Sequence, residues 1–227
     1  MKLISIDSYV FRSKTDVRFY DTLKSKKEQG FIHSFFIEQC KEEGKTHLKP
    51  LSYTIDNYTF TSKADVDYYL SLQQHKQNGI IHSFELCIHQ KDLKYRSKKV
   101  IINDQLFDSR EEANYYLYLL SQRDEQEILD IKFQPSFELQ PAFKKNGKNF
   151  QKIQYVADFE VTFKNGKIEY VDVKGMMTPD FLLKRKLFEY KYPDKELKLV
   201  KYVQKYGGWI TLEQWKKKKG QSKKKEG

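Results

Sequence analysis

A repeat that aligns without gaps constrains this chain more than any other feature. Ile6-Asp7, Tyr9, Phe11, Ser13-Lys14, Asp16-Val17, Tyr20, Leu23, Gly30 and Ile32-His33-Ser34-Phe35 recur 49 residues later. There they stand as Ile55-Asp56, Tyr58, Phe60, Ser62-Lys63, Asp65-Val66, Tyr69, Leu72, Gly79 and Ile81-His82-Ser83-Phe84. A further 47 residues on comes a diverged third copy: Ile102-Asn103, Phe107, Ser109-Arg110, Glu112-Ala113, Tyr116, Leu119, Ile128 and Ile131. A constant offset over this length marks one supersecondary unit used three times.

Each copy reads as β-β-α-β. Alternating apolar residues predict a short hairpin. Ser13, Ser62 and Ser109 are helix N-caps, each followed three residues on by an acid, as in a capping box. The 17/20/23, 66/69/72 and 113/116/119 stripes are the buried faces of the helices. Gly30 and Gly79 end the first two helices. So small a unit buries little by itself, so the copies are expected to pack on one another or on a partner. The polar joints Lys41–Pro50 and Gln90–Lys99 read as linkers. The expected organisation is therefore repeat one at 1–50, repeat two at 51–98, a larger α/β domain at 99–215 and a lysine-rich disordered tail at 216–227.

Only the third copy continues. Two turns, Lys144-Lys-Asn-Gly147-Lys148 and Lys164-Asn165-Gly166-Lys167, separate alternating segments and predict hairpins. The expected elements are strands at 153–163, 168–174 and 197–203, a helix at 179–190 and a short end helix at 211–215. Alternation along a strand puts Val156, Asp158 and Glu160 on one face, and Ile168, Tyr170, Asp172 and Lys174 on one face of the next. Acids flanked by apolar runs need a partner, and a divalent metal is an efficient one. Mg²⁺, with Mn²⁺ as its substitute, suits Asp158 and Asp172, with Glu112 completing the ligand set and Glu160 as a further candidate. Lys174 would orient a water or offset phosphate charge. The plain alternatives are that Glu112 is only a capping-box acid and that the aspartates pair with lysines on a solvated sheet face. Asp16 and Asp65 lack the rest of the constellation and read as capping acids. His33 and His82 read as packing residues, because Leu129 takes their place in copy three.

Phe107/Ser109/Glu112/Ala113, Gln134-Pro135, Tyr155-Val-Ala-Asp158-Phe159, Asp172-Val-Lys174-Gly175 and Lys184/Lys186/Tyr190/Tyr192/Pro193 occur in this order. The series resembles the PD-(D/E)XK, restriction-endonuclease-like superfamily, closest to a phage-encoded, resolvase-like branch. Similar elements occur in Holliday-junction resolvases and in the end-cleaving subunit of some transposases. The Pro usual before the first acid is Ala157 here. The resemblance covers about half of the chain, from roughly 99 to 204. It implies a mixed sheet flanked by helices and Mg²⁺-dependent hydrolysis of DNA, with branched or structured DNA as substrate. It implies Glu112, Asp158, Asp172 and Lys174 as catalytic residues, and Gln134 and Lys184 as substrate contacts.

Composition narrows the surroundings. The net charge is +11, of which the tail 216–227 supplies +6 from seven lysines and one glutamate. The tail could hold a polyanion through phosphate contacts or serve only as a solubilising end. The two cysteines, Cys40 and Cys87, form no CxxC, which argues against structural zinc and for a reducing compartment. No signal peptide or apolar span is legible, so no membrane association is expected and a bacterial cytoplasm fits. A homodimer, and a protein partner held by the first two repeats, are further expectations. Two other functions compete: a mobile-element endonuclease reading a defined site, and a phage adaptor or inhibitor binding a host protein through the repeats.

Overall fold

The computed structural model describes residues 4–7, 9–11, 13–39, 50–87, 99–125, 127–173 and 177–225. The linker stretches 41–49 and 88–98, and the predicted catalytic Lys174, lie outside these residues. Two compact units emerge, Met1–Phe84 and Glu85–Gly227. No helix among the described residues is long and apolar enough to cross a membrane.

The first unit holds β1 (Ile4–Ile6), β2 (Tyr9–Phe11), α1 (Lys14–Glu28), β3 (Phe35–Gln39), β4 (Pro50–Ile55), β5 (Tyr58–Phe60) and α2 (Lys63–Gln77). Both helices start where the capping serines stand. The Ser13 hydroxyl accepts the Asp16 N–H at 3.0 Å, and the Ser62 hydroxyl accepts that of Asp65 at 3.2 Å. Each satisfies a backbone donor that the first helical turn leaves open. Tyr20 and Leu23 of α1 and Val66, Tyr69 and Leu72 of α2 are buried, as the stripes require. Gly30 and Gly79 take φ of +75° and +72°, the left-handed turn that ends each helix.

The repeats interlock. β3, the last strand of copy one, pairs antiparallel with β4, the first strand of copy two. The three-stranded sheet is ordered β3-β4-β5. β6 (Phe84–Leu86) stands in the same way beside β7 (Val100–Ile102) and β8 (Gln105–Phe107). A copy thus completes its neighbour's sheet rather than its own, which is how so small a unit gains a third strand.

The second unit continues with α3 (Arg110–Ser121), β9 (Ile128–Phe133), β10 (Ser136–Gln140), β11 (Phe143–Lys145), β12 (Lys148–Phe150), β13 (Ile153–Val156), β14 (Phe159–Phe163) and β15 (Ile168–Val173). α4 (Pro179–Lys191), β16 (Leu197–Val203), a 3-10 turn, β17 (Gly208–Thr211) and α5 (Leu212–Lys225) complete it. The class is mixed α/β, with a five-stranded mixed sheet ordered β17-β16-β15-β14-β9. Only β15 and β16 run parallel, and α4 makes the crossover between them. On one side of the sheet Phe159 meets the rings of Phe107, Tyr115 and Phe133. Tyr155, Tyr170, Phe181, Phe188, Leu197 and Leu199 form a second buried cluster that α4 closes.

Three sequence expectations need correction. The strand expected over 153–163 is two strands, broken at Ala157-Asp158. β13 pairs with β10, whereas β14 pairs with β9 and β15, so the ladder forks. Asp158 and Glu160 therefore do not share one continuous strand. The second correction concerns β17, an additional strand beyond those expected. The third is the tail. The end helix runs to Lys225, through the stretch 216–225 expected to be disordered. Thr211 and Gln214 form a reciprocal cap at its start, with bonds of 3.0 and 3.2 Å. Lysine and glutamine are good helix formers, and the ammonium groups of Lys201 and Lys219 lie 4.5 and 5.0 Å from the Trp215 ring centroid.

Candidate functional site

The fork in the sheet builds the site. Gln134 has φ +51°, and its N–H donates to the Asp158 carbonyl at 3.0 Å. The Ala157 N–H donates to the Pro135 carbonyl at 3.1 Å. Gln134-Pro135 and Ala157-Asp158 thus bend together, and the bend lifts Asp158 out of the strand alternation. Its N–H still reaches the Val171 carbonyl at 3.0 Å. Its carboxylate Oδ2 accepts the N–H of Val173 at 2.6 Å. Val173 is the residue after Asp172, so the backbone of one acidic segment orients the acid of the other.

Asp172 is 1% exposed, deep in the second buried cluster. The Tyr155 hydroxyl, itself buried, donates to its Oδ2. Burial first, then the charge of Asp172 and this hydrogen bond, and then the charge of Asp158, hold the Tyr155 hydroxyl far above its ordinary pKa. The hydroxyl therefore stays a donor throughout the working pH range. Arg185 of α4 acts on it in the opposite sense. Its guanidinium is half-buried and reaches Glu189 at 3.6 Å and Glu213 at 3.7 Å. Asp158, Asp172, Tyr155 and Arg185 thus form one electrostatic group.

Glu112 is held by its own helix start. The Ser109 hydroxyl donates to its carboxylate at 2.8 Å, and its own N–H returns to that hydroxyl at 3.2 Å, which is the capping box. Burial pushes its pKa up, the Ser109 bond offsets part of this, and the negative charges of Asp108 and Asp172 push it further up. Glu160 takes Lys132 as its partner at 2.8 Å. Lys184 pairs with Asp180 at 3.1 Å, one turn back on α4. Gln134 contributes its backbone to the bend.

Among the described residues, no three His, Cys, Asp or Glu side chains gather closely enough to hold a metal ion alone. Asp158 and Asp172 are the residues that could hold a cation here, and such an all-oxygen donor set would match Mg²⁺, which takes one or two carboxylates and keeps several waters. It does not match zinc, which favours histidine and thiolate.

Tyr155 meets Asp172, and Arg185 acts on Tyr155, only through tertiary packing, which lies beyond the reach of sequence reasoning. A tyrosine ahead of a strand break carries no signal of its own. The β11–β12 hairpin stands where the Lys144–Lys148 turn predicts one. It is a two-stranded ribbon, exposed along both strands, that displays Lys144, Lys145 and Lys148. Across it Phe143 and Phe150 stack with centroids 4.6 Å apart and planes at 4°. No acid occurs between Pro141 and Lys152.

No curated protein and no solved structure matches the chain. Residues 92–208, just over half of its length, match one family, described as "Protein of unknown function (DUF1064)". They take in β7 through β16 and with them both aspartates, so the chain belongs to the DUF1064 family.

Proposed function

We propose that this protein is a Mg²⁺-dependent deoxyribonuclease with a PD-(D/E)XK-type core, hydrolysing phosphodiester bonds in branched or otherwise structured DNA. The observation that carries the reading is the coupling of two acids at the sheet fork. Asp158 is fixed by the Val173 N–H at 2.6 Å, beside a buried Asp172 fixed by Tyr155. Carboxylates fixed in this way by hydrogen bonds are pre-oriented for ligation.

Asp158 and Asp172 would hold the metal. Held by these residues, Mg²⁺ would supply a bound water of lowered pKa and would offset charge on the phosphate. Tyr155 orients the Asp172 carboxylate through its hydroxyl, and Arg185 brings positive charge to Tyr155. Lys174, two residues after Asp172, supplies the cation that orients water or meets developing negative charge. Glu112 biases the site electrostatically from the start of α3. The lysine-bearing β11–β12 ribbon supports nucleic acid as substrate, since such a ribbon fits the major groove and its cations neutralise phosphates.

The test is a cleavage assay on linear, flapped, forked and four-way DNA, with Mg²⁺ or with EDTA. Cutting of the branched forms in Mg²⁺ alone is expected. Lys174→Ala should retain DNA binding and lose at least ~100-fold in rate, the scale of losing one charge-stabilising group. Absence of cutting on every substrate, or wild-type rates in Lys174→Ala, contradicts the assignment.

A further inference from the structure

β1 and β4 occupy the same position in successive repeats but have different neighbours. β4 has β5 on one side and β3 on the other. Among the described residues, β1 pairs only with β2. The arriving strand in copy two is set by the register Phe35↔Ile55, Phe36↔Thr54 and Ile37↔Tyr53. It is received by Asp56, at φ +52°. Asp56 Oδ1 accepts the N–H groups of His33 at 2.7 Å and Ser34 at 3.1 Å. The Asp56 N–H donates to the Ser34 carbonyl at 3.0 Å. Its Oδ2 accepts the Tyr69 hydroxyl.

Asp7 reproduces this receiver. Its φ is also +52°, and its Oδ2 accepts the Tyr20 hydroxyl and faces Lys24 at 3.5 Å. Its Oδ1, the atom that takes two N–H groups in copy two, has no partner among the described residues, and the residue is exposed. The described repeats therefore contain one more receiving hairpin than donated strand. β3 pairs with β4, β6 joins the β7–β8 hairpin, and β9 is committed to β14. A second copy of the chain has its donor strands occupied in the same way.

We propose that the outer edge of β1 is a docking site for an extended strand of another protein, received antiparallel with two successive backbone N–H groups on Asp7. By repeat equivalence, the incoming residues stand opposite Ile6, Ser5 and Ile4. The two inner strands already donated by the repeats, Phe35-Phe36-Ile37 and Phe84-Glu85-Leu86, define the chemistry. Their first and third residues are apolar, with Ile37 and Leu86 buried and the middle residue exposed. Main-chain pairing supplies the affinity, and the alternating apolar side chains supply selectivity. Ser5 lies between two residues paired to β2 in the hairpin, and its counterpart Thr54 stands opposite Phe36. The pairing next along is the mutual Asp56–Ser34 contact, so alternation turns the backbone groups of Ser5 to the open edge.

The probe is a synthetic peptide with the sequence of Gly30–Gln39, titrated into the isotope-labelled full chain. Saturable binding is expected, with amide shifts and exchange protection centred on Ser5. Ser5→Pro removes the outward N–H while proline remains tolerable on an edge, so it should weaken binding at least tenfold without changing the thermal midpoint. Asp7→Gly accepts the positive φ and deletes the carboxylate, and should also weaken binding. It serves as the second variant if Ser5→Pro fails to fold. No binding to the wild type overturns the proposal, as do unchanged binding to the variants and shifts centred on Thr54. So does a concentration-dependent dimer that excludes the peptide.

Discussion

Glu169 and Asp172 lie on one strand, on opposite faces and with opposite surroundings. Glu169 is met by Lys198 at 2.5 Å and Lys167 at 2.7 Å. Asp172 accepts the Tyr155 hydroxyl. The first arrangement brings two cations to a buried carboxylate, and the second brings a hydroxyl donor. Burial pushes the Glu169 carboxyl up, but the hydrogen bonds and charges of Lys167 and Lys198 outweigh it and hold the carboxyl below its ordinary value of 4.5. The folded state thus binds the ionised form better than the unfolded chain does. That stability is fully present above pH 4.5 and is lost as pH falls through the lower folded value. Urea unfolding should therefore find Glu169→Gln less stable than wild type by about 1–3 kcal/mol at pH 7. The gap should close as the solution is acidified below pH 4.5. A gap that persists in acid would mean that the two lysines are not what holds Glu169.

At the scale of elements, local chemistry is largely legible in the sequence and forks are not. The capping serines, the helix stripes and the strand at 197–203 follow from residues within a few positions of one another. So does the helix from Pro179, with Thr178 accepting the Phe181 N–H at 3.2 Å. The break at Ala157-Asp158 is hidden because apolar alternation resumes on both sides of it. Only the distant Gln134-Pro135, which supplies the missing pairing, reveals the bend. The adjacency of the Asp158 and Asp172 segments is legible from the Asn165-Gly166 hairpin, whereas Tyr155 and Arg185 are found only in space. α5 is concealed because a run of lysines looks solvated, yet the same lysines propagate a helix already capped by Thr211 and Gln214. Deleting residues 216–227 should remove the circular-dichroism signal of about ten helical residues, those from 216 to 225. If this helix grips phosphate, the slope of log affinity against log salt for DNA should flatten by up to ~0.9 for each phosphate no longer neutralised. An unchanged spectrum would return the tail to the unstructured state suggested by its composition.

At the scale of the molecule, one repeated unit serves two ends. In the first unit it makes an array whose first hairpin has no third strand among the described residues. In the second, its final strand, β9, joins a mixed sheet instead of a further copy, and the forked site is built on that sheet. The net charge of +11 is compatible with the polyanionic substrate proposed above. The central claim is that Asp158 and Asp172 together bind a divalent ion, and Mn²⁺ reports this without any dependence on turnover. Free Mn²⁺ can be counted by electron paramagnetic resonance during titration of the full chain, of Asp158→Asn and of Asp172→Asn, each verified as folded by its thermal midpoint. The account predicts a bound ion in the wild type, and affinity at least tenfold weaker in each variant. Equal Mn²⁺ binding by all three proteins would contradict it.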